Sequence, residues 1–234
     1  MSLTNPRAFE KLNSLLPTEI KNKLWYIPLR NNGKLPEVKA GDKWKLNEKY
    51  RLSYSEADNR LKWGSNVGIV AQEGTLMFLD LDVKEGKILA SQRFLDALEL
   101  NQTLTIKSRN GGIQQYFLND GKYANQLVKE NDILIGELRT DWQYVVSVGS
   151  HVEPDENCRG EKDGTYRIQK ECPISQFQPI AGIDWKRKGN EPAKERKNNH
   201  INDHDRPENQ RTYAQHLREL LDMGIQRKIR RKVV

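Results

Sequence analysis

Apolar and polar residues change period several times along this chain, and the changes mark out its elements. Phe9, Leu12, Leu15 and Leu16 recur at helical spacing between a helix start at Thr4-Asn5-Pro6 and a stop at Pro17. Residues 25–29 (WYIPL) read as a short strand that runs into a polar, lysine-rich loop over 31–44. Residues 55–63 predict a helix with a Ser-x-x-Asp entry at Ser55, broken by Gly64-Ser65-Asn66. Strands follow at 67–71 and, after a turn at Glu73-Gly74, at 75–83. A helical stretch opens at Gly86 and ends near Leu100, with Leu95 and Leu98 on one side. Strands at 103–108 and 113–118 flank Arg109-Asn110-Gly111-Gly112, and Asn-Gly between alternating segments is a strong hairpin signal. Further strands are expected at 132–139 and 143–148.

The strand at 75–83 (TLMFLDLDV) ends with two aspartates, Asp80 and Asp82. With a side-chain period of 2, both leave one face together with Leu76 and Phe78, while Met77, Leu79, Leu81 and Val83 turn to a core. Neighbouring carboxylates repel each other and are costly to desolvate, so a cation belongs between them. A hard divalent ion with oxygen ligands fits; the plainer alternative is a strand that merely ends at a solvated edge. Glu137, in ILIGELR, ends another apolar strand, with Ile133 and Ile135 on its face. Three carboxylates can hold two divalent ions about 3.5–4 Å apart, an arrangement suited to phosphoryl transfer. The turn from Ser108 to Gly112 offers N–H groups and a hydroxyl, and its glycines let backbone approach a phosphate closely. Each feature alone is weak, because glycine turns mostly make hairpins and strand-end acids are mostly solvated.

Composition adds a polyanionic partner and a tail. The 234 residues carry a net charge of +7, and only 36% are hydrophobic against 30% charged, so part of the chain is solvated. Residues 1–185 form the expected domain, 186–206 have linker composition, and 207–234 hold a helix and a basic tail. That helix starts at Pro207, aligns Tyr213, Leu217, Leu220 and Leu221, and stops at Gly224. Arg227, Lys228, Arg230 and Arg231 then form either a solvated end or a grip on nucleic-acid phosphates. Two cysteines exclude a disulfide scaffold. His151, Cys158 and Cys172, spaced 7 and 14 apart, lack a fourth ligand and make no recognised zinc set. No apolar run approaches the roughly 18 residues of a membrane span, and no signal-peptide core opens the chain, so a cytoplasmic protein with no membrane partner is expected.

The succession WYIPLRNNGKLP, NVGIVA, LMFLDLDV, TIKSRNGGIQQYF, IGELRTDWQYVVSVGSH and GTYRI, from Leu24 to Ile168, resembles a known family. It is the primase–polymerase (prim-pol) domain of the archaeo-eukaryotic primase superfamily, as carried by plasmids, phages and archaeal elements. The family's paired acids fall on Asp80 and Asp82, and its later acidic strand residue falls on Glu137. Its Ser-x-x-Gly-Gly-x-His-x-Tyr motif falls on Ser108 to Tyr116, with Gln114 where the family has histidine. Glutamine can donate through its NH2 but carries no charge and shuttles no proton.

The resemblance implies an α/β (α+β) fold, an RRM-like catalytic sheet packed on a smaller α/β unit with the active-site cleft between. It implies a DNA primase/DNA polymerase, a nucleotidyltransferase in which Asp80, Asp82 and Glu137 hold two Mg2+ or Mn2+ ions. Ser108, Arg109, Gly111, Gly112, Gln114, Arg139 and Lys107 then bind the nucleotide, and Lys34 and His151 are candidate template or nucleotide contacts. DNA template and primer, (d)NTPs, and a separate helicase or other replication proteins are the implied partners. Lys34 is equally an exposed loop lysine and His151 an ordinary loop histidine. Trp142 and Tyr144 can stack on bases, though alternating strand aromatics are more often core. Gln114 keeps open a nucleic-acid-binding replication protein that has the fold and little of the chemistry, and clustered acids also serve a metal-dependent nuclease.

Overall fold

A computed structural model describes residues 4–84, 87–99, 102–153, 164–181 and 183–187. Helix α1 (Pro6–Leu15) begins where the Asn5 side chain accepts a hydrogen bond from the Ala8 N–H at 3.2 Å, with Phe9 and Leu12 buried as its spacing requires. One turn of helix, α2 (Thr18–Lys21), precedes strand β1 (Tyr26–Pro28). The entry to α3 (Tyr54–Lys62) is Ser53 and not Ser55. The Ser53 hydroxyl accepts from the Glu56 N–H, and the Glu56 carboxylate accepts in return from the Ser53 N–H at 2.8 Å. The strands that follow are β2 (Val67–Val70), β3 (Leu76–Leu81), β4 (Val83–Lys84) and β5 (Lys87–Ile88). After α4 (Gln92–Glu99) come β6 (Thr105–Lys107), β7 (Ile113–Leu118), β8 (Gln126–Glu130), β9 (Ile133–Arg139) and β10 (Tyr144–Val146). β11 (Arg167–Lys170), β12 (Ser175–Gln176) and β13 (Asp184–Arg187) complete the described elements.

These strands form a mixed α/β fold with a mostly antiparallel sheet and few helices. The larger sheet has the order β11-β6-β7-β3-β9-β8-β13, with β12 parallel to β7. The smaller sheet has the order β1-β2-β10, and α3 packs on β1 and β2, with α1 on α3. Met77, Leu79 and Leu81 of β3 join Phe94 and Leu98 of α4, Phe117, Val128, Leu138 and Phe177 in one core. Leu76 and Phe78, on the aspartates' side, are equally buried, and Phe78 meets Tyr116 edge to face at 4.7 Å. Strand β3 is therefore covered on both faces, which fits its nearly continuous apolar sequence.

Several expected boundaries move for local reasons. The helix expected from Gly86 begins at Gln92, because 87–88 pair as β5 and Ser91 Oγ accepts from the Phe94 N–H at 3.2 Å. Asp132 belongs to a turn, since Asn131 and Asp132 both have positive φ (50° and 63°), and β9 starts only at Ile133. Ile135 does not share the face of Glu137. Val128 pairs with Gly136 and Lys129 with Leu134, so Ile135 is the extra residue of a β-bulge, and it is buried in the α4 core. Residues 186 and 187, expected in the linker, belong to β13, and Trp185 packs edge-on against Phe177 at 5.3 Å. The rest of the expected linker, the helix at 207–234 and Arg227, Lys228, Arg230 and Arg231 lie outside the described residues. Among those described, no helix is long and apolar enough to cross a membrane.

Two glycines set how closely the central strands approach. A Cβ on Gly136 would run into the Asp80 carbonyl oxygen, and one on Gly112 would sit 2.7 Å from that of Leu81. Gly136→Ala is expected to lower the unfolding free energy by about 1–3 kcal/mol in urea titration, the usual cost of forcing an extra carbon into a filled space. Ser53→Ala should cost about 1 kcal/mol as a lost cap, whereas Ser55→Ala should stay within about 0.5 kcal/mol.

Candidate active site

The register of three neighbouring strands builds the site. Asp80 of β3 stands opposite Gln114 of β7 on one side and opposite Glu137 of β9 on the other. Directly opposed residues of antiparallel strands share a face, so these three side chains form one row across the sheet. Phe78 likewise opposes Arg139, which puts Arg139 on the same face one step along β9. Its guanidinium nitrogen lies 2.9 Å from Asp80 Oδ2 and 3.4 Å from Glu137 Oε2, and Arg139 also donates to the Tyr144 carbonyl at 2.9 Å. Arg139 thus sets one positive charge between Asp80 and Glu137.

Asp82 follows the last residue of β3, and its N–H donates to the Ile135 carbonyl at 2.9 Å. It is exposed at the rim while Asp80 lies deeper. Lost hydration against the cleft wall, which Asp82 suffers only in part because it still reaches solvent, is the chief cause that raises the pKa of both carboxyls above the ordinary value. The Glu137 charge adds to this at both, and the Asp80 charge adds to it at Asp82. Arg139 and Lys34 oppose the rise at both, and Asp80 is further held ionised by a hydrogen bond from Gln114. Among the described residues, no three His, Cys, Asp or Glu side chains are drawn together as a closed metal-binding group. Asp80 and Glu137 converge on one point, held by Arg139, while Asp82 stands off.

A cleft of about 400 Å³ opens over this row. Its walls come from both sheets: Asp80, Asp82, Ser108 and Gln114 on one side, Tyr144 to Val146 of β10 on the other, with Lys34 at its edge. The Ser108 N–H donates to the Gly112 carbonyl at 2.8 Å and the Gly111 N–H to that of Ser108 at 3.0 Å, with Gly111 at φ 86°. The hairpin that the Asn-Gly pair signals is present, but its loop is three residues, 109–111, with glycine at the position of positive φ. Lys34 is fixed in place by its loop. The Tyr144 hydroxyl donates to the Lys34 carbonyl at 3.0 Å, Trp44 packs edge-on against Tyr144 at 5.5 Å, and Asn66 Nδ2 donates to the Gly33 carbonyl at 3.0 Å.

Of the residues expected at the site, Asp80, Asp82, Ser108, Gln114, Arg139 and Lys34 line the cleft, and Glu137 flanks it through Asp80. Gly111 and Gly112 shape the hairpin beside the cleft and are not among its lining residues, and three others are placed elsewhere. Lys107 opposes Ile113, one residue off the row of Ile106 and Gln114, so its side chain leaves the opposite face. Arg109 is only 8% exposed and donates to the Glu153 carbonyl, tying the hairpin to a neighbouring loop. His151 is 6% exposed, and its N–H donates to Asn66 Oδ1 at 2.9 Å, away from the cleft lining. Asn66 was legible only as a helix breaker, yet it is fully buried and joins the Lys34 loop to His151. Asn110, marked in the sequence only as part of the glycine turn, also lines the cleft, as do Gln143 and Tyr166, which neither spacing nor residue type marks.

The family model described as "Bifunctional DNA primase/polymerase, N-terminal" matches residues 19–183. Those bounds take in the whole row, the glycine hairpin and both walls of the cleft. A comparison with curated proteins finds no match. The match spans well over half of the sequence and includes every strand that carries a cleft residue, and so the chain belongs to the prim-pol family, nucleotidyltransferases of the DNA primase/polymerase type within the archaeo-eukaryotic primase superfamily.

Proposed function

We propose that the cleft carries out template-directed nucleotidyl transfer on DNA, with Asp80, Asp82 and Glu137 holding two Mg2+ or Mn2+ ions. The observation that carries this reading is the convergence of Asp80 and Glu137 on one cationic point beside a glycine hairpin. The donor set is all oxygen and anionic, and its present counter-charge, Arg139, spans both acids as a shared cation would. When bound, such ions lower the pKa of an attacking hydroxyl and stabilise charge on the leaving phosphates. The chain's own residues supply the rest. Ser108 and the backbone of the 108–112 turn offer donors for phosphate, Lys34 and Arg139 offer charge at the cleft wall, and the net charge of +7 favours a polyanionic strand. The larger sheet is read as the RRM-like catalytic sheet and the β1-β2-β10 sheet with α1 and α3 as the smaller unit.

Primed and unprimed templates incubated with labelled NTPs or dNTPs and Mn2+ test the reading. Asp80→Ala/Asp82→Ala should lower extension by about 10³-fold or more, since several kcal/mol of charge stabilisation goes with the ions. Degradation of the template would point to a nuclease instead, and equal binding without extension by both proteins to a binding module.

The raised carboxyls also fix a pH dependence. Cation binding needs the ionised form, so extension is present above the raised pKa values and is lost as pH falls through them, before the ordinary carboxylate range is reached. Extension rates across about pH 5–8 check this. For stability the sign reverses, because the metal-free folded state binds protons more tightly than the unfolded chain, so stability falls as pH rises through that window. Asp82→Asn should therefore raise the melting temperature at about pH 7 and give no gain near pH 4.

A further inference from the structure

Gln114 lines the cleft in an unusual electrostatic position. It is 3% exposed, and it directly opposes Asp80 across the β7–β3 pair. Its side chain donates a hydrogen bond to the Asp80 carboxylate. A primary amide has one donor end and one acceptor end, and an ionised carboxylate can only accept. One N–H of the NH2 group is therefore held by Asp80, and the amide oxygen is the acceptor left over. That oxygen, Oε1, is buried without a hydrogen-bond partner.

An unpartnered buried acceptor is costly, and the ligand that relieves it must be a donor or a cation. The phosphates of a nucleotide present acceptor oxygens and negative charge, so they add repulsion at Oε1 and leave that acceptor unsatisfied. A hard divalent ion takes amide carbonyl oxygens readily, alongside carboxylates. Asp80 directly opposes Gln114 across the β7–β3 pair, and Glu137 is the next side chain of the same row.

We propose that Gln114 is an oxygen ligand of the cation held by Asp80, and that it does not bind the nucleotide's phosphates. The proposal rests on the metal reading given above. The amide does two jobs in one row: its NH2 orients the Asp80 carboxylate, and its Oε1 completes an all-oxygen set beside it. An oxygen-only set suits Mg2+ and Mn2+, whereas an imidazole at this position would favour softer ions such as Zn2+.

Mn2+ binding by the full chain, followed by electron paramagnetic resonance of the free ion without nucleotide, tests this independently of activity. Gln114→Leu should weaken Mn2+ binding by about 10–100-fold, the usual cost of removing a residue that supports a metal site. Gln114→Glu, which keeps an oxygen at the same place and adds charge, should bind Mn2+ at least as tightly as wild type. Gln114→His should gain affinity for Zn2+ relative to Mn2+. Unchanged Mn2+ binding in Gln114→Leu, with a raised KM for nucleotide, would overturn the proposal in favour of a phosphate contact. Weakened Mn2+ binding in Gln114→Glu would also overturn it, and decides the matter if the leucine variant does not fold. Asp80→Asn separates the two levels: if it leaves Mn2+ binding intact, the metal reading of the whole cleft fails, whereas failure at Gln114 alone leaves that reading standing.

Discussion

Side-by-side pairing of β7, β3 and β9 is the constraint from which the rest of the molecule follows. It brings an amide, a carboxylate and a second carboxylate into a row from segments far apart in sequence. The row exists only because the strands lie close enough at Gly112 and Gly136, where any side chain would meet the backbone of β3. Crowding two acids in this way would be costly, and the Arg139 guanidinium offsets that cost from within the same strand as Glu137. The hydrophobic core under α4 supplies the burial that holds the row in register.

A one-residue bulge lets β9 serve both faces. Without the extra residue at Ile135, the alternation that turns Glu137 and Arg139 to the cleft would also aim Ile135 there. The bulge returns that apolar side chain to the core, so the strand keeps its charged end over the cleft without exposing isoleucine beside it. The smaller sheet contributes the opposite wall through β10, which leaves β9 after only a short connection. Cleft floor and far wall are thus built from nearly continuous chain.

What could be read from residues alone was whatever depended on short-range periodicity. Period 2 grouped Asp80 with Asp82, and both line the cleft, while the Asn-Gly pair signalled the β6–β7 hairpin. Element boundaries shifted where a hydrogen bond decided them, as with the Ser53 cap and the Ser91 cap. Long-range placement was not legible. Nothing local tells that Lys107 leaves the wrong face of its strand, that Arg109 is spent on the Glu153 carbonyl, or that Asn66 is a buried connector. Glu137 could be picked out as an acid ending an apolar strand, but its meeting with Asp80 is a property of pairing, which sequence spacing does not encode.

Arg139 reaches three acceptors in different directions: Asp80, Glu137 and the Tyr144 carbonyl on the strand that forms the far wall. A planar fork with several fixed N–H groups can do this, whereas the single ammonium of lysine is a compact point that cannot span the same gaps. The guanidinium thereby neutralises one lip of the opening and tethers the other, so charge balance and groove width are governed by one side chain.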